Sequence, residues 1–199
     1  MHKPRLLVIA GCNGSGKSSF SRSLVPSESI IPFDYDFHFL SRYKSLLEID
    51  IKEQMAHNLA SSDLTTEIEE AWEMGKDFAF ETNFDNEPMF WPDQFKAKGY
   101  EIFLIFICLE SINLANKRVA IRVENGGHFV PNFEVERRYN AGFKNLNRVY
   151  SQFDFVDILE GSAHGKAPKH IASIENGKVV YITLEEEYLH SLIPKIIIT

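Results

Sequence analysis

Residues 11–18 read GCNGSGKS, and they follow directly on the apolar segment RLLVIA at residues 5–10. The string satisfies the pattern G-x-x-x-x-G-K-[ST]. An apolar segment before the glycines and a helical pattern after them predict a strand, a tight loop and a helix, which together point backbone N–H groups at a di- or triphosphate. We therefore predict a P-loop, with Lys17 on the β- and γ-phosphates and the Ser18 hydroxyl on Mg²⁺. The residues assigned to nucleotide binding are Gly11, Asn13, Gly14, Ser15, Gly16, Lys17, Ser18 and Ser19.

Strand and helix patterns alternate along the rest of the chain. Apolar segments predict strands at residues 5–10, 30–33, 78–80, 100–108 and 155–159. Helical spacing and cap residues predict helices at 16–24, in the stretch that ends at Gly75, and at 87–98, 111–124 and 132–152. Asn176-Gly177 predicts a hairpin between 171–175 and 178–183, followed by a helix at 184–193. We expect one α/β domain over residues 1–199: a three-layer P-loop kinase-like fold with a mainly parallel sheet, a helical lid at about 118–140 and a C-terminal β-hairpin.

Charge and composition narrow the function classes. The chain has 21 Lys+Arg and 28 Asp+Glu, so 21 − 28 gives a formal charge of −7, which argues against extended nucleic-acid binding and leaves room for a local basic pocket that takes a small anion. The longest apolar run, 102–109, is far shorter than the roughly 20 residues of a membrane-spanning helix. With two cysteines and no leader pattern, we expect a cytoplasmic protein without disulfides or membrane attachment.

The P-loop class can be narrowed by what the chain lacks. A regulatory GTPase needs Asn-Lys-x-Asp to read guanine, and the pair Asn116-Lys117 is followed by Val119 at the aspartate position. Motors and helicases need a longer chain. A small kinase fits the length, and it must supply a carboxylate for the acceptor hydroxyl and cations for the transferred phosphoryl group.

Candidate carboxylates follow two of the predicted strands. Asp34 and Asp36 come after the strand at 30–33, and Glu81-Thr82 come after the strand at 78–80. Ligands of open α/β sheets bind at the carboxyl edge of the strands, beside the P-loop. Strand alternation places Asp34 and Asp36 on one side, so either is a candidate for the base. Glu81 and Thr82 suit hydrogen bonds to substrate or the second shell of Mg²⁺, or alternatively a helix cap.

Four arginines make the most basic stretch of this acidic chain. Arg118 and Arg122 share one helix face, and Arg137 and Arg138 follow after Gly126-Gly127-His128. A helix, a Gly-Gly break and a second helix predict a lid that folds cations over the phosphates, with solvated helix surface as the alternative. We expect Arg118 and Arg122 to act on charge in the transition state and Arg137 and Arg138 to contact substrate.

These segments resemble the zeta toxin family of P-loop kinases over roughly residues 5–160. The resemblance rests on AGCNGSGKSSF at 10–20, Asp36 in FDYDF, FETN at 80–83, RVAIRVENGGHFVP at 118–131 and ERRY at 136–139. It implies a kinase that uses ATP or GTP with Mg²⁺. Studied members phosphorylate the 3′-hydroxyl of the sugar in UDP-N-acetylglucosamine and are held inactive by a small helical antitoxin.

The resemblance also implies roles for particular residues. Asp36 matches the family's base, Glu81 and Thr82 its substrate-side residues, and Lys17, Ser18, Arg118 and Arg122 its phosphate and metal contacts. The chain departs from the family at Asn83 and Phe84, where many members have smaller polar residues, and in the additional acid Asp34. Two alternatives stay open: a kinase for another small metabolite or a nucleic-acid end, and a nucleotide-binding regulatory module without phosphoryl transfer.

Overall fold

A six-stranded sheet forms the centre of the computed structural model, which describes residues 3–127, 129–163, 165–183 and 185–197. The strands are β1 (Arg5–Ala10), β2 (Phe78–Thr82), β3 (Glu101–Cys108), β4 (Phe155–Glu160), β5 (Lys169–Glu175) and β6 (Lys178–Ile182). Their order across the sheet is β2-β1-β3-β4-β5-β6. The four strands β2, β1, β3 and β4 are parallel, and β5 and β6 join the β4 edge in antiparallel orientation. The predicted mainly parallel sheet is therefore confirmed.

Helices connect the strands and cover the sheet on both faces. They are α1 (Lys17–Leu24), α2 (Tyr35–Ser45), α3 (Lys52–Met74), α4 (Phe90–Ala97), α5 (Ile112–Glu124), α6 (Asn132–Val149), α7 (Glu187–Leu192) and α8 (Pro194–Ile197). One sheet face packs against α3 to α8. The other face packs against the end of α1 and the segment that follows it. These two cores explain why β1 is apolar from Leu6 to Ala10, as a strand covered on both faces must be.

Helix α6 follows the predicted amphipathic pattern closely. Its residues Val135, Tyr139, Phe143 and Leu146 recur at helical spacing, and each is at most 5% exposed. The Tyr139 hydroxyl donates to the Leu109 carbonyl at 2.9 Å, so even the polar atom on this face has a buried partner. The apolar face fixes α6 across the sheet, beside the carboxyl ends of the strands.

The sequence-based boundaries were wrong at several points. Residues 30–33 do not form a strand: Pro32 has no N–H to donate, and only Phe33 pairs with β2, as a single bridge to Phe80. Strand β2 continues through Glu81 and Thr82, which pair with β1. Helix α4 begins at Phe90 rather than at 87, because Glu87 has a positive φ of 38° that a helix does not accept.

The C-terminal part of the chain differs from the prediction in smaller ways. The hairpin forms at Asn176-Gly177, both with positive φ, as a type I′ turn requires, and its first strand begins at Lys169, before the predicted start at 171. The long helix ends at Val149, and a short 3₁₀ turn covers Tyr150–Gln152. Of the predicted helix at 184–193, the described residues form only α7, at Glu187–Leu192, and a separate short helix, α8, begins at Pro194. Residue 184 lies outside the described residues.

Membrane-spanning segments were also sought among the described residues. No helix in those ranges combines the length and the apolar character that crossing a bilayer requires.

Candidate active site

The P-loop lies between the end of β1 and the start of α1. Gly14 and Gly16 have φ values of 80° and 98°, a region of backbone space that glycine enters without a steric penalty. A Cβ on Gly14 would lie 2.9 Å from the Ala115 carbonyl oxygen, so glycine also lets α5 pack directly on the loop. The local sequence thus sets both the turn and the close approach of the helix that carries Arg118.

A cleft of about 460 Å³ opens above this loop. It is lined by P-loop residues, by both aspartates at the start of α2, by the end of β2, by two arginines of α5 and by the segment after β4. The predicted site residues among its walls are Asn13, Gly14, Gly16, Lys17, Ser18, Ser19, Asp34, Asp36, Glu81, Thr82, Arg118 and Arg122. The structure therefore brings together residues that are up to 109 positions apart in the chain, as Asn13 and Arg122 are.

The ammonium of Lys17 is held by three acceptors. Its Nζ donates to the Gly11 carbonyl at 2.7 Å, to the Cys12 carbonyl at 3.1 Å and to Asn83 Oδ1 at 3.2 Å. Burial lowers the pKa of Lys17, and the negative groups around it oppose that shift. A desolvated cation at the base of a phosphate-sized loop provides strong electrostatic attraction for a polyphosphate.

Ser18 and Glu81 form a pair at the predicted metal position. The Ser18 hydroxyl donates to Glu81 Oε2 at 2.7 Å. Burial raises the pKa of Glu81, and the charge of Asp34 raises it further. The described residues hold no cluster of three His, Cys, Asp or Glu side chains that could bind a metal alone, so a cation here would also need phosphate or water oxygens. That ligand set of one or two protein oxygens plus phosphates is the one that Mg²⁺ prefers.

Asp34 and Asp36 occupy the start of helix α2 rather than the end of a strand. Asp34 is the N-cap, and its Oδ1 accepts from the Phe37 backbone N–H at 3.1 Å. Asp36 lies in the first turn of the helix. Both line the cleft, although the strand alternation that was expected to place them there does not exist. The start of helix α2 therefore places both aspartates in the cleft. Asp34 makes the hydrogen bond that caps the helix, and Asp36 is not the cap residue.

Arg118 is engaged by backbone carbonyls. Its Nη1 donates to Gly161 at 2.8 Å and to Gly14 at 3.2 Å, and its Nη2 donates to Ser162 at 2.7 Å. The guanidinium thus ties the segment after β4 to the P-loop. Arg122 lies one helical turn further along α5 and also lines the cleft.

Arg137 and Arg138 are outside the cleft lining. Arg137 pairs with Asp85 at 2.6 Å and with Glu134 at 2.7 Å. Hydrogen bonding to Arg137 is the main cause that lowers the pKa of Glu134 to about 2. Arg138 pairs with Glu134 at 3.0 Å and donates from Nη1 to Asn13 Oδ1, also at 3.0 Å. Arg138 therefore contacts the P-loop through Asn13, and its contact with substrate stays a prediction, as does that of Arg137. His128, between the two arginine pairs, lies outside the described residues.

Two groups of cleft residues were missed by the sequence reasoning. The segment after β4 contributes Gly161, Ala163, Gly165 and Lys166 to the cleft. The rule that ligands bind at the carboxyl edge of the strands, applied to β4, would have found it. Asn83 was noted only as a departure from a family pattern, and no local signal indicates its contact with Lys17, 66 residues away.

Fold and site together define a P-loop kinase fold, with a phosphate loop, a parallel sheet and a cleft between the loop and α2. The chain belongs to the zeta toxin family, whose sequence profile matches residues 1–167. The comparison with curated protein sequences gave no match.

Solved structures share this fold at low sequence identity. The AvrRxo1-ORF1:AvrRxo1-ORF2 complex with sulphate ions matches with a TM-score of 0.71 and 16% identity, over 96% of this chain and 63% of that chain. The same complex with ATP matches with a TM-score of 0.69, 16% identity and the same coverage. The PezAT chromosomal toxin-antitoxin system of Streptococcus pneumoniae matches with a TM-score of 0.60 and 16% identity, over 96% of this chain and 79% of that chain. The chain thus spans less than two thirds of the AvrRxo1 chain that it matches.

Proposed function

We propose that this protein is a kinase that transfers the γ-phosphoryl group of ATP or GTP to a hydroxyl of a small metabolite. The observation that carries the proposal is that Lys17 and the Ser18–Glu81 pair face the same cleft as Asp34 and Asp36. A site that only bound nucleotide would need Lys17 and the Ser18–Glu81 pair but not the two aspartates. Phosphoryl transfer also needs a carboxylate that orients or deprotonates the attacking hydroxyl.

The two ends of the cleft suit different ligands. The acidic end lies on the β2 side of the P-loop strand, where Asp34 and Asp36 suit an acceptor hydroxyl. The segment after β4 lies on the opposite side of β1, so it suits the base and ribose of the nucleotide. In this arrangement Lys17 contacts the β- and γ-phosphates between the two ends.

Mg²⁺ fits the oxygen donors at Ser18 and Glu81. The Ser18 hydroxyl would hold the ion together with phosphate oxygens, and Glu81 would orient that hydroxyl by accepting its proton in a hydrogen bond. When bound, the ion supplies positive charge against the β- and γ-phosphate oxygens. Glu81 then belongs to the metal side of the site, with Thr82 beside it at the end of β2.

The two arginines of α5 take different roles in this proposal. Arg118 acts as a positioning residue, because its three hydrogen bonds tie the segment after β4 to Gly14 of the P-loop. Arg122 supplies the cation for charge on the transferred phosphoryl group. Arg137 and Arg138 lie on α6 and would reach the acceptor only if the α5–α6 region moves as a lid over the cleft.

The acceptor that we favour is the sugar of UDP-N-acetylglucosamine, since family membership is established for residues 1–167. A small helical antitoxin is the matching partner, and a toxin-antitoxin system is among the proteins with this fold. The test is transfer of ³²P from γ-labelled ATP and GTP to a panel of nucleotide sugars, other small metabolites and nucleic-acid ends, with Lys17→Ala as the inactive control. Labelling of a different acceptor would redirect the proposal, and nucleotide binding without any labelled product would support the regulatory module.

A further inference from the structure

The Lys17 ammonium has one acceptor that does not belong to the P-loop. Two of its three hydrogen bonds go to the carbonyls of Gly11 and Cys12, and the third goes to Asn83 Oδ1 at 3.2 Å. An ammonium has three N–H groups and no acceptor, so a phosphate oxygen that binds Lys17 must replace or share one of these three bonds. Among the described residues, Asn83 is the side chain that draws Lys17 towards the β2 side of the cleft.

The contact also fixes the orientation of the Asn83 amide. Because Lys17 can only donate, the amide must turn its Oδ1 towards the ammonium and its Nδ2 away from it. Asn83 lines the cleft next to Thr82.

The backbone around Asn83 is held in an unusual shape. Phe84, the next residue, has a φ of 60° and is fully buried, and this left-handed conformation is strained for a bulky side chain. Its N–H donates to Thr82 Oγ1 at 3.0 Å, and its carbonyl accepts from Asn145 Nδ2 at 2.9 Å. Strained backbone of this kind persists only where surrounding contacts hold it in place. Here the strained residue follows Asn83 directly, so the same contacts also hold the backbone of Asn83.

Helix α6 fixes the same segment from the other side. A Cβ on Gly142 would lie 3.3 Å from the Asn83 carbonyl oxygen, which is closer than ordinary van der Waals contact. Glycine at this position lets α6 approach the backbone of Asn83, while Asn145 one turn later binds the Phe84 carbonyl. The placement of Asn83 thus depends on β2, on α6 and on the buried Phe84 ring together.

We propose that Asn83 is a positioning residue for phosphoryl transfer, whose amide oxygen orients the Lys17 ammonium towards the acceptor end of the cleft. The inference rests on the proposed kinase function. Asn83 acts through Lys17, so its loss should reduce the effect of that cation on the phosphates. A hydrogen bond to a charged group of this kind corresponds to a change of roughly 10- to 100-fold.

The test compares Asn83→Ala, Asn83→Asp and the matched control Asn58→Ala, which changes an exposed asparagine of α3 away from the cleft. The measurements are kcat and KM for the nucleotide at one pH, together with the melting temperature of each variant. We expect Asn83→Ala to lower kcat/KM roughly 10- to 100-fold and the control to stay within about twofold of wild type.

The division of the loss between kcat and KM separates positioning from simple loss of structure. Asn83→Ala removes one acceptor of Lys17, so kcat should fall more than KM for the nucleotide rises, because Gly11 and Cys12 still hold the ammonium beside the P-loop. Asn83→Asp keeps an oxygen acceptor at the same place, so it should retain more turnover than Asn83→Ala.

Binding measurements keep this proposal separate from the kinase proposal. If wild type transfers no phosphoryl group, the kinase proposal fails, and calorimetric titration with ATP still tests Asn83. We then expect weaker ATP binding in Asn83→Ala and a smaller loss in Asn83→Asp. If Asn83→Ala does not fold in a thermal melt, Asn83→Leu, which is similar in size and also lacks the acceptor, takes its place. Turnover and ATP binding that are both unchanged in the variant without the acceptor overturn the role of Asn83.

Discussion

Replacement of Asp36 by asparagine gives the sharpest test of the catalytic site. Both Asp34 and Asp36 line the cleft, but Asp34 already caps helix α2 through its bond to the Phe37 N–H. Asp36 has no such task. We therefore expect Asp36 to be the carboxylate that orients or deprotonates the acceptor hydroxyl, as the family resemblance implies.

The size of the effect follows from what each substitution removes. Asp36→Asn keeps the side-chain shape and removes its basicity, which for a positioned general base lowers turnover by roughly 10²- to 10⁴-fold. That range corresponds to about 2.7 to 5.4 kcal/mol in the activation free energy. Asp34→Asn keeps an oxygen for the helix cap, and asparagine is as good an N-cap as aspartate. We expect Asp34→Asn to change turnover less than about tenfold and to leave the melting temperature almost unchanged.

The assay is single-turnover transfer of labelled phosphate to the acceptor found by the panel, together with the ATP dissociation constant of each variant. ATP affinity should change little in Asp36→Asn, because the phosphates are held by the P-loop. A larger loss in Asp34→Asn would identify Asp34 as the base. If neither variant loses as much as tenfold, catalysis does not depend on a carboxylate at this end of the cleft, and the nucleotide-binding module becomes the better explanation.

Three further predictions concern the phosphate side of the cleft. Lys17→Ala should abolish turnover and weaken ATP binding in calorimetry. If turnover and ATP affinity were both unchanged, the assignment of residues 11–18 as the phosphate-binding loop would be wrong. Arg118→Ala should mainly raise KM for the nucleotide, because the guanidinium ties Gly161 and Ser162 to the P-loop. Arg122→Ala should mainly lower kcat. Equal effects on KM and kcat in both variants would contradict this difference between the two arginines. Burial raises the pKa of the Cys12 thiol to about 11, so alkylation of Cys12 by iodoacetamide at pH 8, followed by mass spectrometry, should be at least roughly 100-fold slower in the folded protein than in urea. Rapid labelling of folded protein would show that the thiol is accessible and ionised.

Features that are specified by residues close together in the chain could be predicted from the sequence. The P-loop is such a feature, because a strand, a glycine turn and a helix N-terminus are specified within about fourteen residues. The Asn176-Gly177 hairpin is another, since only the turn residues need positive φ. The apolar face of α6 follows in the same way from periodicity along one helix.

The strand boundaries near the site could not be read in this way. The apolar residues 30–33 satisfy a strand pattern, but a strand forms only when a partner offers a ladder, and Pro32 removes one of the donors that a ladder needs. Glu81 and Thr82 read as residues after a strand, yet pairing with β1 extends β2 through both of them. Pairing between strands about 70 residues apart is decided by the whole sheet.

The sequence by itself determined that the chain has a phosphate loop in an α/β fold and carries acidic and basic side chains suited to phosphoryl transfer. Only the tertiary structure decided which of these side chains are available for chemistry. Arg118 is committed to carbonyls 43 and 44 residues away in the chain, Glu81 to Ser18, and Asn83 to Lys17. Local patterns specify backbone shape because the residues involved are neighbours in the chain. The partner of a charged side chain instead depends on which distant segments the packed core brings within hydrogen-bond distance of it.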